Sequence, residues 1–257
     1  MKEFADGKVL LEQDGPVTVV TINRPEVRNA CDRETIQAMH DLFMEFETSD
    51  DSSVAILRGQ GDCFCAGGDL KEVATGASAS FAWGGKDKGL TRRRLNKPVL
   101  AAVEGHCVAG GLGLALWCDM RICGDTSVFG VFNRRFGGAN GNGATVRLPR
   151  IVGESRALDM MMTGRPVNSV EALQWGLADR VVSAETALAA AKELAHQLAE
   201  FPQEALRCDR FSTIHQRSYG EVDAIDKEIE GAQGAFKNSY QKGAKEFVEG
   251  TGRHGEF

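Results

Sequence analysis

Apolar residues recur along the chain with two different periods. VTVVTIN (17–23) is rich in β-branched residues, SVAILRG (53–59) is a short apolar run, and PVLAAVEG (98–105) repeats that signature after a proline. All three read as strands covered on both faces. Between the first two, CDRETIQAMHDLFMEFE sets Ile36, Met39, Leu42, Phe43 and Phe46 at helical spacing, with Asp32 as the N-cap. GGLGLALWCDM predicts a short, glycine-led helix packed tightly against its neighbours. The second half is mostly helical: ESRALDMMMTG, SVEALQWG and AETALAAAKELAHQLAEF, where Leu188, Ala191, Leu194 and Leu198 form one stripe, with a short strand, DRVV, among them. This alternation predicts an α/β fold. Residues 203–250 read as further amphipathic helices, so the expected organisation is a core over 1–200 and a helical region over 201–257. ATGASASFAWGGKDKG (74–89) is the one long, weakly patterned stretch.

Composition narrows the class. A chain of 257 residues, 42% hydrophobic and 26% charged, is an ordinary globular protein with room for one large domain or two small ones. No apolar run approaches the length of a bilayer span, and MKEFADGKVL lacks the apolar core of a signal peptide, so the expected location is cytoplasmic. Seven cysteines, an odd number, agree with a reducing compartment. Their spacing does not match the paired C-x-x-C of structural zinc sites, and no metal site is expected. A net charge of −6 argues against a nucleic-acid or anionic-membrane surface. An anionic small ligand would instead need local cations; Arg92 to Arg94 and Arg134 to Arg135 are two basic clusters, each read first as a solvated face or ordinary surface pairing.

Two glycine-rich turns, CAGGDL and VAGGLG, each follow a strand and each open a helix. A helix N-terminus presents free N–H groups and partial positive charge, and glycine admits a ligand to them. Two such turns facing one point would supply two donors to one oxygen, the arrangement of an oxyanion hole. The other reading of these glycines is close helix packing. Neither turn contains a P-loop or a dinucleotide fingerprint.

The ordered set NRPEVRNA, AILRGQGDCFCAGGDLKE, KPVLAAVEGHCVAGGLGLALWCDMRI, RLPRIVG, TGRP and GLADRVV resembles the crotonase superfamily, the enoyl-CoA hydratases and isomerases, from about residue 17 to about residue 205. The resemblance implies a crotonase-like spiral of β-β-α repeats with a C-terminal helical trimerisation region, assembled as a homotrimer or a dimer of trimers. It implies a coenzyme A thioester as substrate and no permanently bound cofactor. Gly68 and Gly110 fall where the family's two backbone donors bind the acyl oxygen, Ala66 and Val27 where it grips the adenine, and Arg24, Arg28, Asp69 and Lys71 in or beside segments near the coenzyme A moiety. Asp119 fills a position that the family uses structurally.

The departures from the pattern bear on the reaction. The two hydratase glutamates align with Gly113 and Asn133, and an aspartate found in one subgroup aligns with Asn142. Asparagine and glycine exchange no protons near neutral pH, so two-glutamate hydration is not expected. Asn133 and Asn142 are candidates for orienting water or a polar substrate group, and Arg134 or Arg135 for holding a substrate carboxylate. His106 reads as a buried, hydrogen-bonded histidine in preference to an acid or base, and at most one of His106 and Cys107 should face the pocket. Three functional readings remain open: a hydratase/isomerase-type enzyme, a different reaction through the same oxyanion such as decarboxylation, thioester hydrolysis or C–C cleavage, and a non-catalytic acyl-CoA-binding protein.

Overall fold

The computed structural model describes residues 1–76, 89–92 and 94–250. Lys2–Phe4 (β1), Val9–Asp14 (β2) and Val17–Ile22 (β3) form an antiparallel meander whose first two strands the periodicity did not reveal. Short and half exposed, they lack the apolar runs of buried strands. β3 is buried at every position. Arg33–Thr48 (α1) leads from it to the parallel strand Val54–Gly59 (β4), with Asp32 Oδ1 accepting from Thr35 N at 2.8 Å. The expected stripe Ile36, Met39, Leu42, Phe43 and Phe46 is the buried face of α1.

From β4 onward the chain winds in turns of similar construction. Each crosses the large sheet, passes a short second strand or strand-like segment, and meets a helix or turn at the layer's edge. β4 leads through Cys65 to the short helix Leu70–Ala74 (α2). Val99–Val103 (β5) leads through His106–Val108 (β6) to Gly110–Trp117 (α3), and Met120–Gly124 (β7) leads through Val128–Gly130 (β8) to a 3₁₀ segment, Phe132–Phe136. Ala144–Val152 (α4) and Glu154–Thr163 (α5) follow, then Val167–Asn168 (β9), Ser169–Gln174 (α6) and Arg180–Val182 (β10). The large sheet runs β1-β2-β3-β4-β5-β7-β10, parallel from β3 onward, and the small one runs β6-β8-β9. This is the β-β-α spiral that the sequence motifs implied.

Helix α3 is apolar on all sides and buried at seven of its eight positions, so it fills the interior between layers. Trp117 at its end meets Phe43 edge-on, with ring centroids 4.9 Å apart. The expected helix GGLGLALWCDM therefore ends at Trp117, and Met120 already belongs to β7. Asp119 joins the two: Oδ1 pairs with Arg94 and Oδ2 accepts from Val99 N at 2.8 Å. Ala187–Glu200 (α7) closes this part of the chain, buried along Ala187, Ala191, Leu194 and Ala195.

Contacts divide the chain into residues 1–198 and residues 199–257. Within the second unit, Gln203–His215 (α8) packs against Glu221–Ala235 (α9), and a π-turn over Phe236–Tyr240 leads to Gln241–Glu249 (α10).

Phe43 is fully buried in the main core. Its replacement by alanine is expected to lower stability by about 3–5 kcal/mol, through lost transfer free energy and an unfilled cavity. Denaturant unfolding of Phe43→Ala beside the parent protein measures this.

Candidate functional site

Ala66 to Asp69 do not form a free loop; the chain on each side holds them. Ala66 N donates to Arg28 O (3.0 Å), Cys31 N to Gly67 O (2.8 Å) and Asp69 N to Cys31 O (2.9 Å). On the opposite side Cys65 N donates to His106 O (3.0 Å), and Val108 N to Cys65 O (3.1 Å). The first glycine turn is thus joined by main-chain hydrogen bonds to β6, the strand that delivers the second. Gly67 has φ +107, and a Cβ there would lie 2.9 Å from both Gly110 N and Ala109 Cβ. A Cβ on Gly111 would lie 2.2 Å from Cys65 O. These glycines let two backbones meet, so the packing reading holds for them. Gly68 differs: a Cβ there would meet nothing within 4 Å, because it faces the cavity.

That cavity has a volume of about 320 Å³ and is lined by both Gly68 and Gly110. The N–H groups of these two residues have no hydrogen-bond acceptor among the described residues. Gly110 is the first residue of α3, so its N–H sits at the positive end of that helix. Ala109 before it adopts φ 51, ψ −118, a strained conformation for a residue with a Cβ, and its N–H is tied to Gly130 O at 2.9 Å. Ala66, Leu70, Val73, Phe132 and Phe136 supply the apolar wall. The polar side chains of the described lining are Asn133, Asn140 and Asn142, and none of the described lining residues is titratable.

The asparagines are engaged differently. Asn142 is 5% exposed; Nδ2 donates to Gly110 O at 3.2 Å, and Oδ1 accepts from Ala144 N at 3.2 Å. Its carboxamide also occupies the space beside Gly113, where a Cβ would come within 1.9 Å of Nδ2. A side chain at 113 would therefore compete with the Asn142 carboxamide in its present orientation. Asn133 Nδ2 donates to Gly138 O at 2.8 Å, which leaves Oδ1 buried with no partner among the described residues. The reverse orientation would set two oxygens together, so the unmatched atom is an acceptor.

The cations also differ in placement. Arg24 does not line the cavity: its guanidinium bonds Ala30 O and pairs with Asp69 (2.9 Å) and Asp32 (3.4 Å), so its charge is already met within the fold. Asp69 is that partner and the N-cap of α2, accepting from Lys71 N at 2.9 Å. Val27 is half-buried in a 3₁₀ turn, while Arg28 and Lys71 are exposed on either side of the 66–69 turn. Arg134 donates to Met161 O, and Arg135 to Gly164 O while stacking on Phe132; neither lines the cavity. His106 corrects the expectation of a buried histidine: its side chain is exposed, and only its main-chain oxygen joins the turn. Cys107 beside it points into the core, and burial raises its thiol well above the ordinary range. Burial likewise lifts Cys63 to about 11, so these thiols are neutral packing groups. Segment 74–89, expected to shape the acyl end, lies for the most part outside the described residues.

Sequence reasoning passed over Asn29, fully buried with φ 55, which joins three pieces of the turn: Oδ1 accepts from Arg24 N, and Nδ2 donates to Gln60 O and Cys63 O. Its signal was an asparagine within NRPEVRNA, a segment otherwise read only for its cations. Leu70 and Phe136, 54% and 71% exposed, were detectable as apolar residues outside every stripe.

Comparison with known proteins places this geometry among relatives. The family model described as enoyl-CoA hydratase/isomerase matches residues 12–254. A carnitinyl-CoA dehydratase of Proteus mirabilis is 42% identical over 189 residues, 72% of each chain. The crystal structure of an enoyl-CoA hydratase from Mycobacterium marinum superposes with a TM-score of 0.89 at 30% identity, covering 94% of this chain and 96% of that one. An enoyl-CoA hydratase from Mycobacterium tuberculosis H37Rv does so with a TM-score of 0.89 at 31% identity and the same coverage.

Two outcomes follow for this region. Gly113→Ala is expected to destabilise the protein strongly on its own and much less in an Asn142→Ala background, with a coupling of about 0.5–3 kcal/mol measurable by a double-mutant cycle. Burial by itself would raise the Asp32 carboxyl, but hydrogen bonds from Lys8 and Thr35 and the Arg24 charge outweigh it and hold it at about 2. An unfolded aspartate titrates near 3.9, so this contribution is complete above about that pH and is lost as pH falls toward the folded value. Acid-unfolding curves of Asp32→Asn should show lower stability near neutrality and a shallower decline across that window.

Proposed function

The chain belongs to the enoyl-CoA hydratase/isomerase family, the crotonase superfamily, and on that premise we propose that it seats an acyl-CoA thioester with its carbonyl oxygen between the N–H groups of Gly68 and Gly110. The observation that carries this reading is a single cavity lined by both residues, whose N–H groups have no acceptor among the described residues. Negative charge developing on the thioester oxygen is met there by donors already in place, and losing one such donor typically costs about 10²–10³ in rate. Arg28 and Lys71, exposed beside the turn, approach the coenzyme A phosphates, and Val27 and Ala66 flank the adenine. Arg24 supports them indirectly by fixing Asp32 and Asp69.

The reaction is of the hydratase/isomerase type, passing through a thioester enolate, and the name of the curated relatives, carnitinyl-CoA dehydratase, supports lyase chemistry on a coenzyme A thioester. Asn133 Oδ1 accepts a hydrogen bond from a hydroxyl or water near the reacting carbons, and Asn142 holds the second donor turn through Gly110 O. A second reading is favoured by the lack of any titratable group in the described lining. Decarboxylation of a malonyl-type or β-keto thioester yields the enolate directly as CO₂ leaves and needs no carboxylate base. The proposed assembly is a homotrimer or dimer of trimers, and the exposed stripe Val222, Ile225 and Ile229 on α9 suits a subunit contact. Seven free thiols agree with a cytoplasmic setting.

Acetoacetyl-CoA, which ionises easily, tests the oxyanion reading by its enolate absorbance. The parent protein and Gly68→Ala, which keeps the N–H, are expected to generate that band. Gly68→Pro, which deletes the donor, should lose about 10²–10³ in enolate stabilisation. No binding and no band with the parent protein would reject the proposal. Mass spectrometry of malonyl-type and β-keto thioesters, beside the ultraviolet absorbance of conjugated enoyl thioesters, separates the two reactions: loss of CO₂ supports the second, loss of conjugation the first.

A further inference from the structure

Asparagine followed by glycine occurs twice in the chain, at 140–141 and 142–143, and both pairs lie in the loop that lines the cavity. In this dipeptide the glycine nitrogen can attack the asparagine side-chain carbon. No Cβ shields that nitrogen, and glycine reaches the backbone angles that a five-membered ring requires. The two asparagines are restrained very differently. Asn142 is buried, with Nδ2 on Gly110 O, Oδ1 on Ala144 N, and its main-chain oxygen accepting from Arg147 Nη1 at 3.2 Å. Turning its carboxamide toward Gly143 N would break two hydrogen bonds at a buried position, each leaving an unsatisfied group. Asn140 is half-buried, makes no side-chain hydrogen bond among the described residues, belongs to no helix or strand, and is followed by an exposed glycine.

We propose that Asn140 is a site of spontaneous deamidation that converts a neutral carboxamide of the cavity wall into a carboxylate. Gly141 N loses its proton to solvent and bonds to Asn140 Cγ. The bond from Cγ to the side-chain nitrogen breaks, and that nitrogen leaves as ammonia. Water then opens the resulting succinimide at either carbonyl, giving aspartate or an isoaspartyl linkage. One water is consumed, one ammonia is released, and nothing is oxidised or reduced. The consequence is local: a carboxylate enters a wall whose described lining otherwise holds no ionisable side chain. The isoaspartyl product also lengthens the main chain just before Asn142.

The test incubates the full-length protein at mildly alkaline pH below its unfolding temperature, beside a urea-denatured sample, and maps both by peptide mass spectrometry. In the native sample residue 140 is expected to gain the mass of OH replacing NH₂, as an aspartyl and isoaspartyl doublet, while residue 142 remains asparagine; in urea both convert. A native residue 140 that stays intact while the denatured one converts, or a native residue 142 that keeps pace with it, overturns the proposal. Gly141→Ala should lose most of the native conversion, and an unchanged rate would rule out ring closure. Asn140→Asp then reads the effect on the cavity. Its affinity for acetoacetyl-CoA should gain a dependence on pH through the carboxylate range that the unconverted protein lacks, and identical profiles would overturn the placement of the charge. This last comparison rests on the proposed ligand, whereas the mass measurement does not: if neither protein binds, the ligand reading falls and the peptide map alone decides the modification.

Discussion

Cys65 is paired by its main chain to β6, while Ala66, Gly67 and Asp69 are paired to the segment that leads from Arg28 to Cys31. This double attachment positions the cavity. Gly68 and Gly110 lie more than forty residues apart in the chain. The ladder between Cys65 and His106–Val108 fixes the distance between the turns, and glycines at 67 and 111 allow that distance to be short. Asn29, Arg24 and the two aspartates brace the outer side with hydrogen bonds and ion pairs, while Cys31, Phe64 and Cys65 anchor the turn in the core.

On the proposed reading, the described part of this cavity would meet negative charge with groups that exchange no protons. Its donors are peptide groups, which do not titrate, and its polar side chains are carboxamides. The Asn133 oxygen is buried with no partner among the described residues. As an oxyanion site it would suit chemistry in which the substrate carries its own acid–base capacity.

Most of the fold was legible in the sequence because its central strands and α1 are governed by burial, which leaves a periodic trace. VTVVTIN, SVAILRG and the stripe from Ile36 to Phe46 became elements as read. β1 and β2 were not legible, since an edge hairpin half open to solvent needs no apolar run. At the site, the glycine turns were visible as motifs, but which glycine faces ligand and which faces backbone depends on tertiary approach: Gly68 opens on space and Gly67 on Ala109. The role of Arg24 was unreadable for a related reason, because its partner Asp69 is 45 residues away and only the folded chain brings them together. His106 was misplaced because a strand at the layer's edge exposes one face, and the sequence around it does not say which.

The overlap between position 113 and the Asn142 carboxamide couples the two positions. A side chain placed at 113 would push the Asn142 carboxamide off Gly110 O and Ala144 N, so its cost falls on two hydrogen bonds at a buried position and not on the backbone. A smaller residue at 142 removes that cost in advance.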